Sequence, residues 1–199
     1  AIMELAKVDA SVAITVAAHT SLGTMPIVLA GTEKQKMKYV PDLASGKVLG
    51  AFGLTEPGSG SDAGATITTA EKNGDEYIIN GSKIFITNAG ISGYLNLTAQ
   101  IIEDGQQIGV GAFITEANNS GLIISPKEKK MGWRASDTRQ LFFKDMCIPE
   151  ENMIGAPKDG FKTFLKTLTG GRISIGALSV GTAEGAYLKA LNYACEREA

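Results

Sequence analysis

Two cysteines, Cys147 and Cys195, and a single histidine, His19, are all the thiol and imidazole chemistry in these 199 residues. Two thiols are too few for a disulfide framework and their spacing fits no metal motif, so a reducing compartment is the default expectation. His19 closes an apolar helical stretch, where a packed or capping role is the ordinary one. Basic charge is not in excess: 19 Lys+Arg against 21 Asp+Glu leave a net charge of −2, with no footprint for nucleic acid. No apolar run reaches the length of a membrane span; the longest, SVAITVAA at residues 11–18, is too short, so no membrane partner is expected. Internal repeats and low-complexity tracts are also missing.

What is present is a globular composition, 44% hydrophobic and 20% charged, long enough for one or two domains and a sizeable core. Both ends read as continuing into further chain. Ala1 already lies in an apolar-periodic segment with no basic leader before it, and GAYLKALNYACEREA is still helical in pattern at Ala199.

Residues 1–46 are Ala-rich and helical in pattern, broken by glycine and proline around Gly23 to Gly31. Thr32 and Gln35 form a capping box, and the helix it opens is expected to stop before Pro41, whose ring disfavours helix at Val40. A DLASG turn then closes on Gly46. From Lys47 to about Pro157 the texture is strand: ATITTAEK and EYIIN flank a hairpin signal at NGD, and Asn80-Gly81 is a second turn signal before SKIFITN. YLNLTAQII, IGVGAFITEA, GLIISPKE and RQLFFKDMCIP continue the series. Seven or eight strands with short turns and no intervening helix argue for an antiparallel barrel or sandwich. From Lys158 helix returns, as GFKTFLKTLTGGR and then a second helix from Ile173. Met25, Met131, Met146 and Met153 are expected to fill gaps in the core.

Three stretches carry chemistry. LTEPGSGSD, Leu54 to Asp62, follows a strand and has almost no side-chain bulk for five residues. It leads into another strand rather than a helix, which excludes the dinucleotide fingerprint and the P-loop. A plain turn is the ordinary reading of such a loop. NGSKIFITNAG presents Phe85 and Thr87 on one face by strand alternation, a ring and a hydroxyl able to cover and hydrogen-bond a planar heterocycle. A core Phe beside a β-favouring Thr is the bland alternative. KMGWRASDTRQLFFKDMCIPEENMIG holds the only tryptophan, Trp133.

In this order and spacing, GLTEPGSGSDAGA, NGSKIFITNAG, KMGWRASDTRQLFFKDMCIPEENMIG and GFKTFLKTLTGGR resemble the acyl-CoA dehydrogenase family, nearest its short-chain, butyryl-type branch. The resemblance covers essentially the whole chain. It implies an α+β protein of three regions: the end of an N-terminal helical domain (1–46), an antiparallel β-barrel middle domain (47–157), and the start of a C-terminal helical domain (158–199). It implies FAD as cofactor, with Phe52, Leu54, Thr55, Gly60 and Ser61 in one flavin segment and Phe85, Ile86 and Thr87 in a second. Thr55 would serve the pyrimidine side and Thr87 the hydride-accepting nitrogen, and glycines would let main chain approach the ring without Cβ clashes. Ser61, Thr169 and Arg172 match substrate-contacting positions, although Thr169 stands where Asp is common. Arg197 matches an arginine that reaches the cofactor pyrophosphate of a neighbouring subunit.

The reaction so implied removes an α-proton of an acyl-CoA thioester by a carboxylate as hydride leaves the β-carbon for the flavin. Electrons then pass to an electron-transfer flavoprotein. The usual base is a Glu beyond Ala199, and the position one branch uses instead is Gly171 here, so no catalytic residue is assigned within this chain. Glu56, in the loop, matches a structural position. The family is usually a homotetramer, in a bacterial cytoplasm or a mitochondrial matrix. An acyl-CoA oxidase of the same fold and a non-catalytic flavin- or CoA-binding scaffold are the alternatives.

Overall fold

The structure is a computed structural model that describes residues 1–198. Its first element, α1 (Ile2–Val8), stops where Asp9 turns extended and caps α2 (Ala10–Ala18), its carboxylate accepting from the Ser11 and Val12 amides at 2.6 and 3.4 Å. No break follows at Gly23. A π-helical turn, His19–Thr24, runs directly into α3 (Met25–Ala30), with Pro26 in the first turn of α3. Ala10–Ala30 is therefore one helical run of 21 residues with mean hydropathy 1.6, long and apolar enough to cross a membrane. The expectation that no stretch reaches that length does not hold. In this structure 44% of its apolar window is buried, against the strands and the last helix.

Thr32 and Gln35 form the expected reciprocal capping box at the start of α4 (Glu33–Ala44). That helix continues through Pro41 to Ala44, one turn further than the local rule allows, and closes on Gly46 at φ 74°. Proline's cost falls on the carbonyl four residues back, and Met37 is exposed, so water can serve it.

Seven strands follow: β1 (Leu49–Gly53), β2 (Thr69–Asn73), β3 (Glu76–Thr87), β4 (Ser92–Glu103), β5 (Gln106–Glu116), β6 (Leu122–Ile124) and β7 (Thr138–Pro149). They make one sheet in the order β1-β4-β2-β3-β7-β6, with β5 on the other edge of β4. The sheet is mixed and open, and this overturns the antiparallel barrel. β4 runs parallel to β1 (Gly50 opposite Tyr94) and to β2 (Thr69 opposite Gln100), and among the described residues no ladder joins β5 to β6. The expected hairpin at Gly74-Asp75 does form. Asn80-Gly81 is not a turn, however, but an irregularity inside the continuous β3. Counting turns identifies hairpins; it cannot show that β1 and β2 share one edge of β4, a pairing that needs a long crossover.

Alternate residues of the strands feed two cores. Leu95, Leu97, Ile101 and Phe113 join Tyr77, Leu141 and Met146 on one side, while Ala112 and Ile114 meet Ile27, Tyr39, Leu43 and Phe164 on the other. Met146 is fully buried; Met131 is 96% exposed, so that methionine is no core filler. After a 3-10 turn at Glu150–Asn152 the chain enters α5 (Gly160–Glu196), one 37-residue helix in place of the two expected. Gly170-Gly171 does not interrupt it, because the helix lies along α1, α2 and α3 and packing outweighs propensity.

Candidate functional site

The chain leaves β1 at Gly53 and makes the bare loop. Glu56 and Ser59 exchange backbone hydrogen bonds at 3.0 and 3.1 Å around Pro57-Gly58, and the Ser59 hydroxyl donates to the Asp62 carbonyl at 2.6 Å. The loop's one large polar side chain turns inward: Glu56 is 2% exposed and accepts from the Thr66 hydroxyl and from the Ile67 and Thr68 amides. Lys83 of β3 reaches it at 2.8 Å, and both side chains are essentially inaccessible to solvent. Burial alone pushes the Glu56 carboxyl up, but the hydrogen bonds from Lys83, Thr66 and the Ile67 amide prevail and hold it at about 2. Burial lowers the Lys83 ammonium to about 8, with Glu56 opposing. Glu56 is thus committed to a structural pair.

β3 then departs from simple alternation. Lys83 and Ile86 are both buried although three positions apart, and the pairing with β7 shifts register between them. A two-residue period can place both inside only if one extra residue is absorbed, and Phe85 absorbs it in the left-handed region at φ 60°. Its ring is left 64% exposed. Phe85 and Thr87 flank the buried Ile86 as alternation expects, and the bulge shifts that face by one residue relative to Lys83. A strained, exposed aromatic is the kind of outlier that points to a ligand-handling role.

These pieces line a cavity of about 400 Å³, within the usual range of small-molecule sites. It brings together Phe52, Leu54, Thr55, Gly60, Ser61, Phe85, Ile86, Thr87 and Arg172, all singled out from the sequence. Among the described residues, the Thr55, Ser61 and Thr87 hydroxyls take no hydrogen-bond partner within the chain. Phe52 stacks on the buried Phe164 with ring centroids 4.1 Å apart, fastening α5 against β1. Two expected residues are elsewhere. Thr169 lies about 100° around the helix from Leu168, outside the lining, and its hydroxyl donates to the Leu165 carbonyl at 3.0 Å. Arg197 follows the end of α5 and donates to the Tyr193 hydroxyl at 2.8 Å. It is about 37 Å along the helix from Arg172.

The helices supply further lining, Ala18 and Leu22 outside the motifs and Leu165 and Leu168 within GFKTFLKTLTGGR, none of them singled out from the sequence. A second cavity of about 290 Å³, almost wholly apolar, lies between α2 and α5 against Ile14, Ala17, Gly171 and Ile175. The two cavities share Ala18, Leu22, Leu168 and Arg172 as a common wall. A methyl group on Gly171 would stand 3.1 Å from Leu22 Cδ2, so a bare position keeps that wall open. Among the described residues no carboxylate lines either cavity, and the Arg172 guanidinium has no ion-pair partner. His19 is a buried clamp: its Nδ1 accepts the Gly50 amide at 3.0 Å and its Nε2 faces the Leu43 carbonyl at 3.1 Å, which fits the neutral Nε2–H tautomer.

Sequence profiles for the N-terminal and the middle domain of acyl-CoA dehydrogenases match residues 1–47 and 51–146. The short-chain specific acyl-CoA dehydrogenase of Clostridium acetobutylicum is 47% identical over 198 residues, covering 100% of this chain and 52% of that protein. An acyl-CoA dehydrogenase of Bacillus subtilis is 46% identical over 197 residues, 99% of this chain and 52% of that one. Among solved structures, butyryl-CoA dehydrogenase from Megasphaera elsdenii superimposes with a TM-score of 0.94 at 45% identity, over 100% of this chain and 52% of its own. An acyl-CoA dehydrogenase from Bacillus anthracis complexed with FAD gives 0.90 at 42% identity, over 95% and 33%. The chain spans about half the length of the curated relatives it matches.

Proposed function

Because the chain belongs to the acyl-CoA dehydrogenase family, we propose that it is the flavin- and acyl-binding half of an FAD-dependent dehydrogenase acting on short-chain acyl-CoA thioesters. The observation that carries this reading is the pair of cavities with one shared wall: a hydroxyl-lined one between bare loop and β3, and an apolar one between α2 and α5. The residues present fit a flavin. Thr55, Ser61 and Thr87 offer unpartnered hydroxyls to a heterocycle's polar edge, Leu54 and Ile86 offer apolar contact, and Gly60 has nothing within 4 Å of an added Cβ.

Bound FAD supplies the two-electron acceptor for forming the α,β double bond. This chain's own contribution is to bind, orient and keep dry. The apolar cavity takes the acyl chain and excludes water from it. Gly171 leaves space at the junction, and the unpaired Arg172 guanidinium is set there to engage the thioester's CoA side. With no carboxylate in either lining, the base that takes the α-proton is assigned to the half of the enzyme outside this chain. Thr169, beside that wall on α5, is proposed to touch the CoA moiety. Arg197, far along the same helix, is proposed to serve a neighbouring subunit's cofactor in a homo-oligomer. A further relative, a chain of the electron-transferring flavoprotein study of Acidaminococcus fermentans, superimposes at TM-score 0.95 and 45% identity. That similarity supports an electron-transfer flavoprotein as the electron acceptor here.

The test is spectroscopic. The full-length protein is purified, its visible flavin absorption recorded, and butyryl-CoA added without oxygen. A yellow protein bleached by the thioester and slow to recolour in air supports the dehydrogenase. Rapid reoxidation by oxygen makes it an oxidase, and a colourless protein indifferent to thioester makes it a scaffold.

A further inference from the structure

The buried Lys83–Glu56 pair takes no part in the chemistry proposed above, yet it is an expensive thing to build. Taking both charges out of water costs more than a well-packed apolar pair of the same volume would, so stability alone does not explain it. Its hydrogen bonds show what an apolar pair could not supply, which is direction. Lys83 Nζ donates to the Leu54 carbonyl at 3.1 Å, to Glu56 Oε1 at 2.8 Å, and has the Thr66 and Thr98 hydroxyls at 3.1 and 3.2 Å. The next residue on β3, Ile84, donates its amide to the Thr55 carbonyl at 2.9 Å. Residues 54, 55 and 56 are therefore each tied to 83 or 84, and the Thr55 side chain is the one polar group of the three left facing the cavity. Four residues further along β3, Thr87 supplies the other hydroxyl. The bulge that holds Phe85 in the left-handed region begins directly after Lys83.

We infer that Lys83, through Glu56 and the Leu54 carbonyl, is a positioning residue that sets the spacing between Thr55 and Thr87 and the attitude of Phe85 toward the bound flavin. The inference rests on the flavin reading proposed above. It makes the ion pair a device for geometry rather than for stability: the ammonium has three protons to place, and they fasten two separate segments to one strand.

The experiment uses the full-length protein and the double variant Lys83→Met/Glu56→Gln, which removes both charges together and leaves no orphaned ion. The variant is expected to melt close to wild type and to bind FAD at least about tenfold more weakly, the scale of one misplaced hydrogen bond, with a displaced visible flavin spectrum. Thr98→Val, which trims one Lys83 partner without removing either charge, is expected to show a smaller displacement of the same sign, so the idea stays testable should the double variant not fold. Gln35→Ala serves as the control: it removes a buried clamp on the Glu151 and Met153 carbonyls, outside the cavity's lining, and is expected to lower the melting temperature with the flavin spectrum unmoved. Wild-type FAD affinity and spectrum in the double variant and in Thr98→Val, beside a yellow wild type, would overturn the positioning role alone. A wild type that takes up no FAD would overturn the flavin reading and this inference with it.

Discussion

Gly23 and Gly50 meet backbone against backbone: a methyl group on Gly50 would stand 2.8 Å from the carbonyl carbon of Gly23. The contact joins the π-helical turn to β1. His19 Nδ1 takes the Gly50 amide, and Asn96 Nδ2 donates to the Gly23 carbonyl at 2.6 Å. This junction sets Leu22 and Ala18 beside the Phe52–Thr55 segment, so the helical wall of the cavity depends on two positions that have no side chain.

Substituting either glycine by alanine forces the turn and the strand apart. Gly23→Ala and Gly50→Ala are each expected to cost about 1–3 kcal/mol, the range of overpacked cores, measured by chemical denaturation. Gly58→Ala, with open space around the added methyl, is expected to stay within about 0.5 kcal/mol of wild type. Equal effects at the three positions would contradict the contact.

Acid should find Glu56. Its carboxyl lies at about 2 in the folded chain against an ordinary 4.5, so between those values the unfolded chain binds more protons than the folded one. Stability from this group is complete above about pH 4.5 and is lost as pH falls toward 2, a total on the order of 3 kcal/mol. Denaturation at stepped pH should show wild type losing more stability across that window than Glu56→Gln. Parallel curves would refute the assignment.

Phe85 holds a left-handed backbone with its ring mostly exposed. Phe85→Gly removes the strain and little burial, and is expected to stabilise the fold by about 1 kcal/mol while weakening FAD binding. The opposed signs are what distinguish a residue strained for function, and thermal melts beside a flavin titration read both.

Gly171→Val fills the junction of the two cavities. In the full-length enzyme it is expected to shift acyl preference toward shorter chains, by on the order of 10–200-fold for one lost methylene's space, read from the rate of flavin bleaching across straight-chain acyl-CoAs. An unchanged preference would mean that the acyl chain lies elsewhere.

Local rules carried far along this chain. The capping box at Thr32 and Gln35, the hairpin at Gly74-Asp75 and the left-handed close at Gly46 all follow from contacts within a few residues. Most of the cavity's lining was legible in two motifs, Phe52 to Ser61 and Phe85 to Thr87, since each is a continuous segment. Local rules failed where distant neighbours outweighed them. Pro41 and Gly170-Gly171 sit inside helices because packing supports those helices from outside. Ala18, Leu22, Leu165 and Leu168 looked like ordinary apolar stripes, and nothing along the chain marks which stripe faces a strand loop.

The amino-acid order on its own determined which stretches favour helix or strand, where the capping box and the Gly74-Asp75 hairpin form, and that two stretches bear hydroxyls beside small or aromatic residues, for these depend on steric and hydrogen-bonding limits between near neighbours. Only the folded molecule decided that the sheet is mixed and open, that Lys83 faces Glu56, and that the bulge delivers Phe85 to the cavity. Those outcomes turn on which of several possible strand pairings and buried charge partners costs least once every segment competes for the same core, and that balance is struck between residues far apart in sequence.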